Sequence, residues 1–195
     1  MTNSLKNKMI SRTTVHLKSR IAERSLIFVG LMGAGKSTIG KRVAKILDMR
    51  FCDSDHEIEA VLQMTISEIF AIHGEQKFRD LEKQIIFRLL NEGPIVLAIG
   101  GGAFMHPDTR YVIRKHGLSI WLNADLDMLI ERALQKNNRP LLQTENPRAV
   151  MQKLMYQRYP VYAKADLVVQ NRNSNQDDVA RDVIKTAHLY LNALL

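Results

Sequence analysis

The sequence is poor in the residues that define several protein classes. Its one cysteine, Cys52, excludes an intramolecular disulfide and a zinc site built from cysteine pairs. Aromatic residues make up 6% of the chain, and there are only 10 glycines and 5 prolines, so neither a fibrous nor a disordered protein is indicated. The 195 residues are 46% hydrophobic, which fits one globular domain with a buried core.

Long apolar runs are missing as well. No stretch approaches the ~20 apolar residues that cross a bilayer, since the longest candidate, residues 85–100, is interrupted by Arg88, Gly93 and Pro94. We expect no signal peptide, because the N-terminal residues contain no apolar block. With Cys52 expected to pack at a strand end, these features predict a cytoplasmic protein without a membrane anchor.

Positive charge is concentrated at the N-terminus. Residues 1–24 carry six lysines and arginines against one acid, Glu23, and therefore hold +5 of the net charge of +8. We interpret them as a flexible, solvated basic extension before a domain of residues 25–195. Contact with nucleic acid or an acidic membrane, or an organelle transit peptide, are the alternatives for such a segment.

After residue 24, short apolar runs alternate with helical patterns. Continuous apolar strands separated by helices indicate a parallel sheet covered on both faces, an α/β three-layer architecture. A polar loop is predicted at 136–147. The predicted strands are 25–30, 49–52, 94–100, 118–122 and 166–170, and the predicted helices are 36–47, 55–63, 67–91, 107–116, 125–136, 148–163 and 176–194.

The segment "GLMGAGKST", residues 30–38, matches the phosphate-binding pattern G-x-x-x-x-G-K-[ST]. It lies between a predicted strand and a predicted helix, which is the context that this pattern requires. Glycines let backbone N–H groups surround a phosphate, and the helix N-terminus favours the negative charge. We expect Lys36 to contact the β- and γ-phosphates of a nucleotide and the Ser37 hydroxyl to bind Mg²⁺.

Two further strands are followed by polar or glycine-rich segments. Asp53 and Asp55 follow the second strand and Gly100–Gly102 follow the third, at the edge where ligands gather in parallel sheets. In extended chain, residues two apart point the same way, so both carboxylates would face one cleft. The alternatives are a helix cap for the aspartates and a tight turn for the glycines.

Three arginines are candidates for binding an anionic acceptor or phosphates. Arg79 lies three residues before Glu82 on one helix face, Arg139 lies in the polar loop, and Arg158 lies in "YQRYPVY". Arginine offers a planar fork to carboxylates and phosphates, although a single arginine is more often a surface charge. The six histidines show no metal-binding spacing.

Together these motifs resemble the shikimate kinase family over residues 25–190. The segments that carry the resemblance are "GLMGAGKSTIGK", "FCDSDHEIE", "ISEIFAIHGEQKFRDLE", "VLAIGGGAF", "NNRPLL" and "YQRYPVYAKAD". The resemblance implies a P-loop kinase fold of the nucleoside-monophosphate-kinase type, with a five-stranded parallel sheet and a mobile lid. It also implies transfer of the ATP γ-phosphoryl group to the 3-hydroxyl of shikimate, with Mg²⁺.

The resemblance also implies roles for individual residues. Lys36, Asp55 and Arg139 would take part in the transfer, and Ser37 and Asp53 would hold Mg²⁺, Asp53 through water. ATP would be bound by Gly33, Ala34, Gly35, Lys36, Ser37, Thr38, Arg132, Arg139 and Arg172. Shikimate would be bound by Asp55, Arg79, Gly100, Gly101, Gly102 and Arg158. One departure is Ile99, where many relatives have threonine, so no hydroxyl is available there.

Two other functions are compatible with part of the pattern. A kinase of another small metabolite, such as gluconate, shares the P-loop and the fold class. A nucleic-acid-associated ATPase would use the basic extension and would show hydrolysis stimulated by DNA or RNA. Since neither explains the whole motif set, we expect a monomeric kinase that binds shikimate and ATP and no nucleic acid.

Overall fold

The computed structural model describes residues 17, 19–21, 23–135, 144–172 and 175–194. Numbered in chain order from β1 near residue 25 to β5 near residue 170, with the bounds given at the end of this paragraph, five parallel strands of the described residues form one sheet in the order β2-β3-β1-β4-β5. Their register pairs Phe28 with Ala98 on one side and with Ile120 on the other. The predicted five-stranded parallel sheet is therefore confirmed. The strands are β1 (Ser25–Val29), β2 (Phe51–Asp53), β3 (Val96–Ala98), β4 (Gly117–Ala124) and β5 (Leu167–Asn171).

The α-helices flank this sheet, and local sequence signals explain several of their ends. The third helix begins with a capping box, in which Thr65 and Glu68 satisfy each other's backbone N–H groups. The fourth begins with Pro107, whose missing N–H costs nothing in a first turn. Among the described residues the helices are α1 (Lys36–Leu47), α2 (Ser54–Leu62), α3 (Ile66–Asn91), α4 (Pro107–His116), α5 (Leu126–Leu134), α6 (Pro147–Tyr162) and α7 (Gln176–Ala193), with a 3-10 turn at Ala103–Met105.

A kink divides α3, which the sequence predicts as one continuous helix. Gly74 has φ 75° and ψ 169°, a conformation outside the helical region that glycine adopts without steric cost. Across the kink the rings of Phe70 and Phe78 pack with their centroids 4.6 Å apart. The part of α3 after Gly74 carries Arg79 and Glu82, so the kink sets the direction from which these residues reach the sheet.

The core lies on both faces of the sheet, as continuous apolar strands predict. Leu26, Ile27 and Phe28 of β1 are all 0% exposed. The edge strand β5 instead alternates between buried and exposed residues. Because the central strands are covered on both faces, only their ends are open to ligands, and the carboxyl ends carry the polar residues described below.

Part of the predicted N-terminal extension packs into the core and is not solvated. Leu17 and Ile21 are 0% and 1% exposed and belong to the core. Arg20 donates to the Leu191 carbonyl at 2.8 Å and to the Asn192 side chain at 3.3 Å, near the end of α7. The prediction of a solvated extension is thus wrong for Leu17 and Ile21, whereas residues 1–16 lie outside the described part of the chain.

Two other predictions concern the lid and the lack of a membrane-spanning segment. Residues 136–143, which include Arg139 and most of the proposed lid, lie outside the described residues. Within the described ranges, no helix has the length and apolar composition needed to cross a membrane.

Candidate active site

The phosphate loop has the backbone that its glycines predict. Gly33 and Gly35 adopt φ values of 83° and 88°, in the left-handed region that other residues rarely occupy. A Cβ atom on Gly33 would also lie 2.5 Å from the Leu129 carbonyl oxygen. Lys36 begins α1, and its ammonium group donates to the Gly30 and Leu31 carbonyls at 2.9 and 3.2 Å. The loop therefore ends at the N-terminus of α1, and the Lys36 side chain folds back over the loop.

A cavity of about 360 Å³ lies over this loop. Arg132, which is predicted to bind ATP, lines it, and so do two residues that the sequence did not single out, Gln135 and Gln176. Ala34 is 1% exposed and does not line the cavity, and neither does Arg172, which follows β5. The lining residues are Gly33, Gly35, Lys36, Ser37, Thr38, Ile39, Arg132, Gln135 and Gln176.

Ser37 and Asp53 meet across the gap between α1 and β2. The Ser37 hydroxyl donates to Asp53 Oδ2 at 2.5 Å, and Asp53 Oδ1 accepts from the Asp55 N–H at 3.1 Å. Asp53 thus caps α2 with one oxygen and faces the phosphate loop with the other. Mg²⁺ is commonly held by one or two protein oxygens together with nucleotide phosphates and water. This hydroxyl–carboxylate pair fits that requirement, and the described residues contain no larger cluster of acids, cysteines and histidines that could hold a metal.

Asp55 reaches the site in a different way from the one predicted. The extended strand ends at Asp53, and Asp55 lies in the first turn of α2. The argument from alternation along a strand is therefore wrong, because the chain turns into a helix at Ser54. Ser54 is 0% exposed, and its hydroxyl accepts from the Gly100 N–H at 3.0 Å, which joins α2 to the glycine triplet. Asp55 still faces that triplet, since its Oδ1 lies 3.0 Å from the position of a Cβ on Gly100.

The glycine triplet makes room for charged side chains. None of its residues is among those with positive φ, so the backbone itself does not require glycine. A Cβ on Gly100 would lie 2.1 Å from Glu82 Oε1, and one on Gly102 would lie 2.6 Å from Arg79 Cζ. A Cβ on Gly101 would lie 3.2 Å from Arg158 Nη1. The triplet therefore brings together side chains from α3 and α6, and its contact with a ligand remains a prediction.

Contacts within α3 fix the direction of the Arg79 side chain. Its Nη1 donates to Glu82 at 2.8 Å, and its Nε and Nη2 donate to Glu75 at 3.3 and 3.0 Å. The guanidinium carbon also lies 5.0 Å from the ring centroid of Phe78. Because these contacts fix the direction of a planar donor group, an anion that binds it needs little further ordering of the side chain.

Aromatic residues of α6 support the triplet from the other side. Tyr162 is 0% exposed and donates its hydroxyl to the Gly101 carbonyl, while Tyr159 donates to the Ala124 carbonyl at 2.7 Å. Burial raises the pKa of both phenols to about 12, so they remain protonated donors near neutral pH. A Cβ on Gly101 would lie 3.4 Å from the Gly30 carbonyl, so the triplet lies beside the start of the phosphate loop.

Glu82 is a buried acid that the sequence indicates only as a neighbour of Arg79. Its side chain is 1% exposed, and its Oε1 has no hydrogen-bond partner. Burial raises its pKa to about 7, although the Arg79 charge and hydrogen bond oppose the shift. The nearby Asp55 carboxylate adds to the increase. Burial depends on tertiary packing, so no local sequence signal could have identified this environment.

This raised pKa predicts a pH dependence of stability. Between the ordinary pKa of 4.5 and about 7, the folded chain keeps a proton on Glu82 that the unfolded chain releases. We therefore compare the free energy of unfolding of the wild type with that of Glu82→Gln. The difference, wild type minus variant, should fall by on the order of 3 kcal/mol as pH rises through this range. Urea unfolding from pH 4.5 to 8 measures it.

Glu75→Gln is the matched control for this measurement. Glu75 contacts the same guanidinium, but its side chain is 62% exposed. Because Glu75→Gln retains Glu82, its free energy of unfolding should still fall as pH rises through this range. A flat difference curve between the wild type and Glu82→Gln would show that Glu82 titrates in the folded state as it does in the unfolded chain.

The family of this chain follows from comparison with known proteins. A sequence profile of the family described as "Shikimate kinase" matches residues 32–188. The chain belongs to the shikimate kinase family. Its activity is accordingly that of an ATP-dependent phosphotransferase of this family, which confirms the resemblance inferred from the motifs.

Individual relatives agree over almost the whole chain. The shikimate kinase of Brucella canis is 48% identical over 191 residues, which cover 97% of this chain and 96% of the relative. This alignment includes most of residues 1–24, whereas the family profile begins at residue 32. The solved shikimate kinase of Acinetobacter baumannii, in complex with shikimate, has a TM-score of 0.85 and 33% identity, covering 92% of this chain and 99% of the other.

The competing metabolite kinase receives no support beyond the fold. A solved gluconokinase from Sinorhizobium meliloti has a TM-score of 0.54 with 16% identity, covering 88% of this chain and 93% of that one. At this identity the similarity concerns the fold alone.

Proposed function

We propose that this site transfers the γ-phosphoryl group of ATP to the 3-hydroxyl of shikimate, giving shikimate 3-phosphate and ADP. The observation that carries the proposal is the contact between two half-sites. A phosphate loop lies against a glycine triplet that gathers Asp55, Arg79 and Arg158. One half-site suits a triphosphate, and the other suits a small acceptor that carries a carboxylate and hydroxyl groups.

On the donor side, Lys36 is proposed to contact the β- and γ-phosphates once its ammonium group leaves the Gly30 and Leu31 carbonyls. The loop N–H groups and the α1 N-terminus add fixed positive potential, while Thr38 and Arg132 line the same cavity. Arg139, outside the described residues, is proposed to close over the phosphates as part of a lid, and Arg172 to lie near adenine. Excluding water by such closure would prevent hydrolysis from competing with transfer.

Mg²⁺ is the proposed metal, with the Ser37 hydroxyl as a ligand and Asp53 holding it through water. When bound, Mg²⁺ neutralises charge on the phosphate oxygens. The contact between the Ser37 hydroxyl and Asp53 Oδ2 supports this assignment, since it places both oxygens at the mouth of the phosphate loop.

The metal assignment predicts the behaviour of Asp53→Asn. Asparagine is as good an N-cap as aspartate, so α2 should keep its cap while the charge at Asp53 is lost. We expect the Mg²⁺ concentration that gives half-maximal ADP release to rise about tenfold, because a charged partner of the metal is removed. A Mg²⁺ titration of ADP release at saturating ATP measures this effect, and an unchanged midpoint would contradict the role.

On the acceptor side, Arg79 and Arg158 are proposed to hold the shikimate carboxylate, and the backbone of Gly101 to contact the same molecule. Asp55 would orient the 3-hydroxyl and accept its proton as the new P–O bond forms. In the same step the hydroxyl oxygen would attack the γ-phosphorus in line with the leaving β–γ bridging oxygen, and ADP would depart. Most of the catalysis would come from positioning and electrostatics, because the transferred group requires little covalent chemistry from the protein.

A coupled ADP-release assay tests the proposal. ATP and Mg²⁺ would be supplied with shikimate, with gluconate or with no acceptor. We expect turnover only with shikimate. ADP release that was equal without acceptor, or faster with gluconate, would contradict the proposed substrate.

A nucleic-acid arm of the same assay tests the other alternative. Adding DNA or RNA should not raise ATP hydrolysis. A truncation that probes the extension should end at residue 16, because Leu17 and Ile21 belong to the core. Stimulation by nucleic acid that disappeared on removing residues 1–16 would favour the nucleic-acid-associated ATPase.

The proposed enzyme acts as a monomer in the cytoplasm. All the described groups of the site, from Lys36 to Arg158, come from one chain, so a second copy is not needed to complete them. Light scattering on the purified chain during size-exclusion chromatography would check the monomer.

A further inference from the structure

Asn171 contacts the phosphate loop from outside the cavity. It is the last residue of β5 and is 3% exposed, and its side-chain Nδ2 donates to the Ala34 carbonyl at 3.0 Å. The same nitrogen lies 3.3 Å from the position of a Cβ on Gly35. Asn171 does not line the cavity over the loop. Its influence on a bound nucleotide would therefore pass through the loop backbone.

The Ala34–Gly35 peptide is the part of the loop that this contact restrains. In a trans peptide the C=O and the following N–H point in opposite directions. Holding the Ala34 carbonyl toward β5 therefore turns the Gly35 N–H away from β5. A phosphate-binding loop depends on N–H groups that point inward, so the direction of this one peptide decides whether a donor is available.

The loop's own sequence cannot hold that peptide in place. Gly33 and Gly35, on either side of Ala34, both have positive φ, and glycine passes between positive and negative φ with little steric hindrance. The same glycines that let the loop curve also let the peptide rotate. A buried amide from another strand provides the restraint that the glycines lack.

We propose that Asn171 is a positioning residue that holds the Ala34–Gly35 peptide so that the Gly35 N–H faces the phosphates of ATP. The proposal rests on the loop's use for ATP. It assigns Asn171 no contact with shikimate, since the glycine triplet is reached from α3 and α6. Loss of the Asn171 contact should therefore weaken ATP binding specifically, in addition to any effect on folding.

Two substitutions at Asn171 separate the donor from the shape of the side chain. Asn171→Asp keeps the size but sets a carboxylate oxygen against the Ala34 carbonyl, so two acceptors face each other. Asn171→Leu removes the donor without adding charge. We expect the Kd of ATP, measured by calorimetry without acceptor, to rise roughly tenfold or more for Asn171→Asp. For Asn171→Leu we expect a rise of about fivefold.

Gln170→Glu is the matched control, since it makes the same amide-to-acid change one residue earlier. Gln170 is exposed, so its variant should stay within about twofold of the wild type in ATP affinity. The Kd of shikimate without nucleotide should be unchanged in all three variants. Asn171→Ser keeps a hydroxyl donor and should recover part of the ATP affinity lost in Asn171→Leu, an expectation that a merely structural role does not make.

Two results would overturn the proposal. One is wild-type ATP affinity in both Asn171→Asp and Asn171→Leu. The other is an equal loss of ATP and shikimate affinity together with a lower unfolding temperature, which would make Asn171 a general structural residue. Because ATP binding is measured without acceptor, failure of the wild type to phosphorylate shikimate would leave this test intact.

Discussion

Asp55→Asn is expected to lower turnover about a hundredfold or more while ATP affinity stays near that of the wild type. The amide keeps the size of the side chain but cannot accept a proton from the acceptor hydroxyl. Asp55 is separate from the phosphate loop and faces the glycine triplet instead, with Oδ1 3.0 Å from the position of a Cβ on Gly100. Steady-state ADP release and ATP calorimetry measure the two effects separately.

The control for Asp55→Asn is the same change at an exposed aspartate. Asp127 pairs with Arg148 on the surface, and its side chain is 81% exposed. Asp127→Asn should retain full turnover. Because Asp55 lies in the first turn of α2, thermal unfolding should accompany the assay to show that the helix is intact. Normal turnover in Asp55→Asn would remove Asp55 from the mechanism.

Gly102→Ala is expected to weaken shikimate binding by about tenfold to a hundredfold, with little change in ATP affinity. The backbone of Gly102, at φ −88° and ψ −22°, suits any residue, so the fold should tolerate alanine. The added methyl group would instead lie 2.6 Å from Arg79 Cζ and would displace the guanidinium. Glycine is thus favoured at position 102 because the Arg79 guanidinium packs against it.

A double-mutant cycle tests whether Gly102 acts through Arg79. Arg79→Lys loses the planar fork and should itself weaken shikimate binding more than ATP binding. If displacement of Arg79 is the cause, adding Gly102→Ala to Arg79→Lys should cost much less than adding it to the wild type. Fully additive losses would mean that Gly102 contributes independently of Arg79, for example by a direct backbone contact with the substrate.

The sheet and the phosphate loop were predictable because each rests on a local pattern. A strand buried on both faces is continuously apolar, and a left-handed loop at a helix start needs glycine, so both are visible in the residues themselves. The capping box of Thr65 and Glu68, at which α3 begins, is also a local pattern. Strand ends were less accurate, since β3 forms only at Val96–Ala98 within a longer apolar run.

The missed features depend on distant packing. Glu82 differs from an ordinary helix glutamate because tertiary packing buries it beside Gly100, and Asn171 is 137 residues away from the carbonyl that it holds. Asp55 faces the glycine triplet from the first turn of α2 and not from an extended strand end, because the chain turns into α2 at Ser54. The kink at Gly74 has no signal beyond the glycine itself, which helices also tolerate without bending.

The position of bound shikimate in a crystal structure of the complex tests the central claim most directly. We predict that its carboxylate lies within hydrogen-bond distance of both Arg79 and Arg158 and that its 3-hydroxyl lies within hydrogen-bond distance of Asp55. The same hydroxyl should face the phosphate loop across the contact between Gly30 and Gly101. A carboxylate bound at Arg132 or the phosphate loop, with Asp55 out of reach of any hydroxyl, would contradict the account.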